Sequence, residues 1–167
     1  AHASAQEAGQ ELFEYLGSLA GNERFALPEP FFNIINGGKH ADSGLDIQEY
    51  LISPLGLPTM HEKVRAGEEV IASLKSILLE RGLAVSVGDE GGFAPKLGSN
   101  EEAIVLIEQA IRQAGYSFDQ IKIAIDVAAS SFYKDGMYQI KIRGEEQCLD
   151  ARGLIDWYTE LVDAHPI

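Results

Sequence analysis

Two adjacent carboxylates, Asp89 and Glu90, lie in the stretch Ser86-Val87-Gly88-Asp89-Glu90-Gly91-Gly92-Phe93-Ala94-Pro95, between a short apolar segment and a pair of glycines. Glycine allows close backbone approach and positive φ, so Gly88, Gly91 and Gly92 suit a tight, ligand-facing loop. An acidic pair on such a loop is a candidate for acid/base or metal chemistry. A carboxylic acid in Glu90's position can give a proton to a leaving hydroxide when burial or a second carboxylate keeps it protonated. Alone, an Asp-Glu-Gly tripeptide reads as a surface turn; the weight of the functional reading rests on the whole stretch.

A second segment adds to it: Asn33-Ile34-Ile35-Asn36-Gly37-Gly38-Lys39-His40-Ala41-Asp42, continuing to Leu45-Asp46-Ile47-Gln48-Glu49-Tyr50. Histidine is the residue type that titrates near neutral pH, so His40 suits a donor to a phosphate or a leaving group. Gly37 and Gly38 let its loop move, as a closing lid requires. Gln48 and Glu49 head an apolar strand and point to opposite faces if the strand is regular there. Asp126 ends the apolar run Ile121-Lys122-Ile123-Ala124-Ile125. A hard oxygen ligand there suits Mg²⁺, which takes few carboxylates plus water and substrate; an Asp capping whatever follows the strand is the plainer reading. His2, His61 and His165 have no such context, and His61 reads as an exposed helix residue.

Composition narrows the function classes. The chain has 167 residues, 46% of them hydrophobic, which suits about one globular domain. No apolar run approaches the ~18 residues of a membrane span, and no leader precedes a cleavage site. Thirteen basic residues against 26 acidic ones give a net charge of −13, which disfavours a nucleic-acid partner. Cys148 is the only cysteine, so an internal disulfide and a cysteine-rich zinc site are excluded, and a reducing, cytoplasmic setting is expected. The chain opens at Ala1 without an initiator Met and reads as processed, engineered or partial.

The elements that must position these residues follow from periodicity and punctuation. A helix is expected over 3–18, with Leu12, Phe13 and Leu16 on one side and Gly17 and Gly21-Asn22 ending it. Phe31 to Ile35 and Gln48 to Ile52 read as strands, separated by a glycine-rich loop over 36–46. Thr59 and Glu62 have capping-box spacing for a helix whose apolar face is Val64, Val70, Ile71, Leu74, Ile77 and Leu78. Ser99 and Glu102 repeat it for a helix through Ile104, Ile107 and Ile111. Ile121 to Asp126 is a strand, Tyr138 to Ile142 another, in a hairpin closing near Asp135-Gly136. Asp150 caps a last helix carrying Leu154, Trp157, Leu161 and Val162, and a new strand is expected to begin at Pro166-Ile167. Alternating strands and helices predict an α/β fold with a partly parallel sheet. A complete (β/α)₈ barrel needs ~250 residues, more than this chain has.

The Gly-Asp-Glu-Gly-Gly stretch and the His40-to-Glu49 segment together resemble the enolases, along essentially the whole chain. The resemblance implies a partial enolase-type TIM barrel that begins with two strands and two helices. Residues 1–27 would be the end of the enolase N-terminal region, and residues 28–167 the first part of the barrel domain, cut before its fourth strand. It implies reversible dehydration of 2-phosphoglycerate to phosphoenolpyruvate, a lyase step of glycolysis using Mg²⁺. Glu90 would be the general acid and Glu49 would work beside it. His40 would serve the phosphate or leaving group, Gln48 would contact substrate, and Asp126 would be the first magnesium ligand. Around Asp126 the chain departs from the family twice: Val127 stands for a usual cysteine and Ser131 for a usual glutamate. The family's proton-abstracting lysine has no counterpart among Lys39, Lys75, Lys96, Lys122, Lys134 and Lys141, so the chain alone is expected to be inactive. A homodimer or higher homo-oligomer of the full-length enzyme is implied, and a cell-surface or secreted pool is known in the family. A non-catalytic interaction fragment and another acid-sugar enzyme of the superfamily are the competing readings.

Overall fold

A computed structural model describes all residues, 1–167. The chain opens with two short helices, α1 (His2–Glu7) and α2 (Leu12–Ala20), where the sequence predicts one. Gly9, at φ +65°, turns the chain out of the right-handed helix. Glu11 then starts α2 with a capping box to Glu14, and Gly21 ends it in the left-handed conformation. Gly17, expected as a terminator, is instead buried within α2, where a Cβ would lie 2.2 Å from the Phe25 ring. The expected apolar side is largely exposed: Phe13 and Leu16 both face solvent.

Strands β1 (Phe32–Asn36) and β2 (Glu49–Ser53) come next, then helices α3 (Met60–Glu80) and α4 (Asn100–Gln113), then strand β3 (Lys122–Asp126). Thr59 and Ser99 cap the two helices through their hydroxyls, accepting from Glu62 N–H and Glu102 N–H, as their spacing predicts. The sheet runs in the order β1-β2-β3 and both ladders are antiparallel, which corrects the expectation of a partly parallel sheet. The loop after β1 returns the chain beside itself, and α3 and α4 bring β3 in against β2 from the opposite direction. Parallel pairing is confined to one bridge, Ile35 with Phe93. On the other side of β3, the Ile123 N–H donates to the Pro166 carbonyl at 2.9 Å, so the last residues lie along that edge without forming a strand.

The core lies between this sheet and the helices. Ile34, Ile35, Tyr50, Ile52 and Ile123 meet Val70, Leu74 and Leu78 of α3 and Ile104, Ile107 and Ile111 of α4 in one apolar cluster. Each such side chain, fully buried, contributes on the order of 1.5–3 kcal/mol. Val64, expected on the buried face of α3, is exposed; the buried stripe runs through Ala66, Gly67, Val70 and Leu74, one position out of phase with it.

A second antiparallel sheet follows: β4 (Tyr133–Lys134), β5 (Met137–Ile142) and β6 (Glu145–Leu149). Asp135-Gly136 and Arg143-Gly144 both have positive φ at each position, the two-residue turn that matches strand twist. The first turn was legible; β6 was not, because Glu145-Glu146-Gln147 has no apolar alternation and is exposed. Helix α5 (Ala151–Ala164) is capped by Asp150, whose carboxylate accepts from Gly153 N–H at 2.7 Å. It buries Leu154, Trp157 and Leu161 but leaves Val162 exposed. No helix is long and apolar enough to cross a membrane. The result is an α/β fold whose strands do not close into a barrel.

A buried polar hub ties the pieces together. Asn100, at the start of α4, is 1% exposed. Its Oδ1 accepts from Asp46 N–H, Ile47 N–H and the Tyr50 hydroxyl, and its Nδ2 donates to the Asp46 carboxylate and the Lys141 carbonyl. Burial, and then the charges of Asp46 and Glu101, push the Tyr50 phenol well above its ordinary value of 10.0. A raised folded-state pKa makes the neutral phenol the native form. Its contribution is complete below about pH 10 and is lost as pH rises through the higher folded value. Tyr50→Phe cannot ionise, so its stability should fall less steeply than the parent's above about pH 10. At neutral pH it should lose about 1 kcal/mol for the missing donor. Denaturant midpoints taken across that pH range check both effects.

Candidate functional site

Because β2 runs against β1 and β3, the C-terminal ends of β1 and β3 and the N-terminal end of β2 share one end of the sheet. Asn36, Glu49 and Asp126 lie directly across from one another there: Asn36 pairs with Glu49, and Glu49 with Asp126. Directly opposed residues of antiparallel strands present their side chains to the same face, with Cβ atoms about 4.5–5.5 Å apart. That face is opposite to the one on which Tyr50 packs into the core.

His40 arrives from the loop between β1 and β2, on a single 3₁₀ turn, Gly38–His40. Gly38 has φ +51° and lies against Gln48, and Gly37 lies against the Ile47 carbonyl, where a Cβ would be 2.3 Å away. The Gly37 N–H donates to the Gln48 carbonyl and the Gly38 N–H to the Leu45 carbonyl. The glycines thus fold the loop back on itself and bring His40 over the start of β2. His40 Nδ1 is 3.4 Å from Glu49 Oε1, within ion-pair range but not aligned as a hydrogen bond.

Glu90 arrives from the loop between α3 and α4. Gly88 N–H donates to the Gly92 carbonyl and Gly91 N–H to the Gly88 carbonyl, closing a tight turn with Gly91 at φ +84°. The turn is stitched to β1 by Phe93 N–H to the Ile34 carbonyl and Asn36 N–H to the Phe93 carbonyl. Gly88 and Gly92 are required by contact: Cβ atoms there would lie 2.4 Å and 2.7 Å from the Asn36 amide. Gly92→Ala should therefore destabilise the chain by about 1–3 kcal/mol, the usual cost of overpacking. A urea titration with unchanged slope measures it.

The three residues meet. One ligand atom each from His40, Glu49 and Glu90 lie within 4.8 Å of one another, with His40 and Glu49 half-buried and Glu90 exposed. Two carboxylates and an imidazole at this separation can act together on one bound group. They are also a donor set that a divalent cation accepts. Asp126 does not join the three. It is exposed, and its Oδ1 accepts from Ala128 N–H at 3.0 Å, supporting the left-handed Ala128 at φ 47°. Its second oxygen has no partner in the fold. Gln48 enters through its backbone, donating to the Asp126 carbonyl at 3.2 Å. His61 is exposed on α3, and His165 is paired with Glu108 at 2.7 Å, far along the chain from the site loops.

Sequence reasoning passed over Asn36 and Asn100. Both are buried amides, at 0% and 1% exposure, in stretches that read as polar loop and helix start. The only signal was that Asn36 directly precedes the two loop glycines.

A sheet end carrying converging acids and a histidine, flanked by helices in the order ββααβ, is the candidate site of an α/β protein. Residues 24–167 match the family described as enolase, C-terminal TIM barrel domain, and the chain belongs to that family.

Proposed function

We propose that this chain is part of an enolase, the lyase that reversibly dehydrates 2-phosphoglycerate to phosphoenolpyruvate in glycolysis. The observation that carries the reading is the convergence of His40, Glu49 and Glu90 from three separate segments. Expulsion of hydroxide from a carbon next to an acidic C–H needs a proton delivered to the departing oxygen. Glu90, on a glycine turn open to solvent, delivers it. Glu49 sits beside it and steadies the hydroxyl and the water that forms. His40, on the lid-like glycine loop, gives a hydrogen bond to the phosphate or the leaving group. Gln48 contacts substrate. Asp126, exposed at a strand end with one carboxylate oxygen uncommitted, fits one position of a magnesium site. Magnesium, when bound, offsets negative charge on the substrate carboxylate.

In this reading residues 1–27 belong to the N-terminal region and 28–167 to the barrel domain, and the complete protein is a cytoplasmic homodimer or higher oligomer. The base that removes the carbon-bound proton and the other metal carboxylates are not among these residues, so the chain alone does not turn over.

The experiment is a substrate panel. A complete barrel carrying this sequence is given 2-phosphoglycerate or a set of acid sugars with millimolar Mg²⁺, and the conjugated product is followed by absorbance. Product from 2-phosphoglycerate alone is expected. Dehydration of an acid sugar instead would assign the site to another branch of the superfamily.

A further inference from the structure

The Asn36 side chain is fully buried, yet neither its Oδ1 nor its Nδ2 has a hydrogen-bond partner. A buried amide without partners is costly, and an apolar side chain of the same shape would avoid that cost. The amide is wedged between the two loops of the site. Oδ1 lies against Gly92, where it would touch a Cβ at 2.7 Å, and no backbone carbonyl takes the Gly92 N–H. Nδ2 lies against Gly88, at a spot also approached by the His40 carbonyl, 2.4 Å and 2.8 Å from the same Cβ position. The His40 carbonyl has only a stretched bond, 3.4 Å, from Asp89 N–H. Both unbonded amide atoms thus lie against glycines of the Glu90 turn, and the under-used His40 carbonyl approaches one of the same glycines.

We infer that Asn36 is a positioning residue that clamps the His40 loop to the Glu90 loop, its Oδ1 taking the Gly92 N–H and its Nδ2 giving to the His40 carbonyl. The clamp fixes the spacing between His40 and Glu90 without touching substrate. Its catalytic consequence rests on the proposed dehydration; its structural content does not.

The test uses Asn36→Leu, which keeps the side chain's approximate size and removes both polar groups. Amide hydrogen exchange followed by NMR is read at Gly92, with Ala94 N–H, which is bonded to the Ser86 carbonyl, as the internal control. Gly92 should exchange roughly tenfold faster in the variant, about the effect of one net hydrogen bond, with Ala94 unchanged. In the complete barrel, kcat for 2-phosphoglycerate should fall about tenfold or more with KM within about twofold, because misplacement of an acid affects the reacting step rather than binding. Should the leucine variant not fold, Asn36→Ala gives the same exchange readout. Gly92 exchange within twofold of the parent in a folded variant, or parent-like kcat, overturns the clamp. A parent barrel inactive on 2-phosphoglycerate would fail the proposed function instead, and the exchange result would still decide the clamp.

Discussion

Glu90→Gln in a complete barrel should cut dehydration of 2-phosphoglycerate by ~10²–10⁴, the range for a positioned acid or base. Exchange of the substrate's carbon-bound proton with solvent should survive much better. The separation follows from the proposed roles. Glutamine keeps the size of the side chain and its place on the Gly88–Gly92 turn but has no proton to give to departing hydroxide. In the proposed roles, removal of the carbon-bound proton falls to a different group. Solvent isotope exchange into substrate, set beside the absorbance assay, measures both. Equal loss of the two activities would mean that Glu90 serves binding or the base, and the assignment of the acid would be wrong.

The second large effect is on stability. Asn100→Ala should destabilise the fold by about 3–4 kcal/mol, through two or more stranded buried groups at about 1–3 kcal/mol each, less than additively. The substitution strands the Asp46 and Ile47 N–H groups and the Tyr50 hydroxyl, and removes a donor from the Asp46 carboxylate and the Lys141 carbonyl. The Asp46 carboxylate retains the Lys141 N–H at 2.8 Å. Urea unfolding with a constant slope measures the loss, and Tyr50→Phe provides a milder comparison within the same hub. A loss under about 1 kcal/mol would show that water replaces the amide's bonds and that the hub does not hold the loop before β2.

Local signals carried much of the fold. Thr59, Ser99 and Asp150 sit one residue before apolar periodic runs, and each caps a helix through its own side chain. The strands at 32–36, 49–53 and 122–126 were legible as short apolar runs bounded by Gly, Pro and polar residues. What failed depends on distance or on single positions. The break at Gly9 hides in an otherwise helical composition, and Val64 misses the buried stripe by one step of the helix. The antiparallel sheet could not be read from element order, because strand direction is set by how the connections return. The same limit applies to the site. His40, Glu49 and Glu90 could each be nominated from their neighbours, but their approach to within 4.8 Å is made by β1 pairing with β2 on one side and Phe93 on the other. Asn36 and Asn100 were invisible because an asparagine in a polar stretch gives no sign that it will be buried.

In the proposed reading these residues supply the acid side of an enolase reaction and one magnesium ligand, and lack the base. The most direct measurement mixes the purified 167-residue chain with 2-phosphoglycerate and millimolar Mg²⁺ and follows the conjugated product by absorbance, beside the same sequence set in a complete barrel. Magnesium-dependent product is expected from the complete barrel and none from the chain alone. Turnover by the chain alone, as a monomer free of contaminating enzyme, or an inactive complete barrel, would contradict the proposed reading.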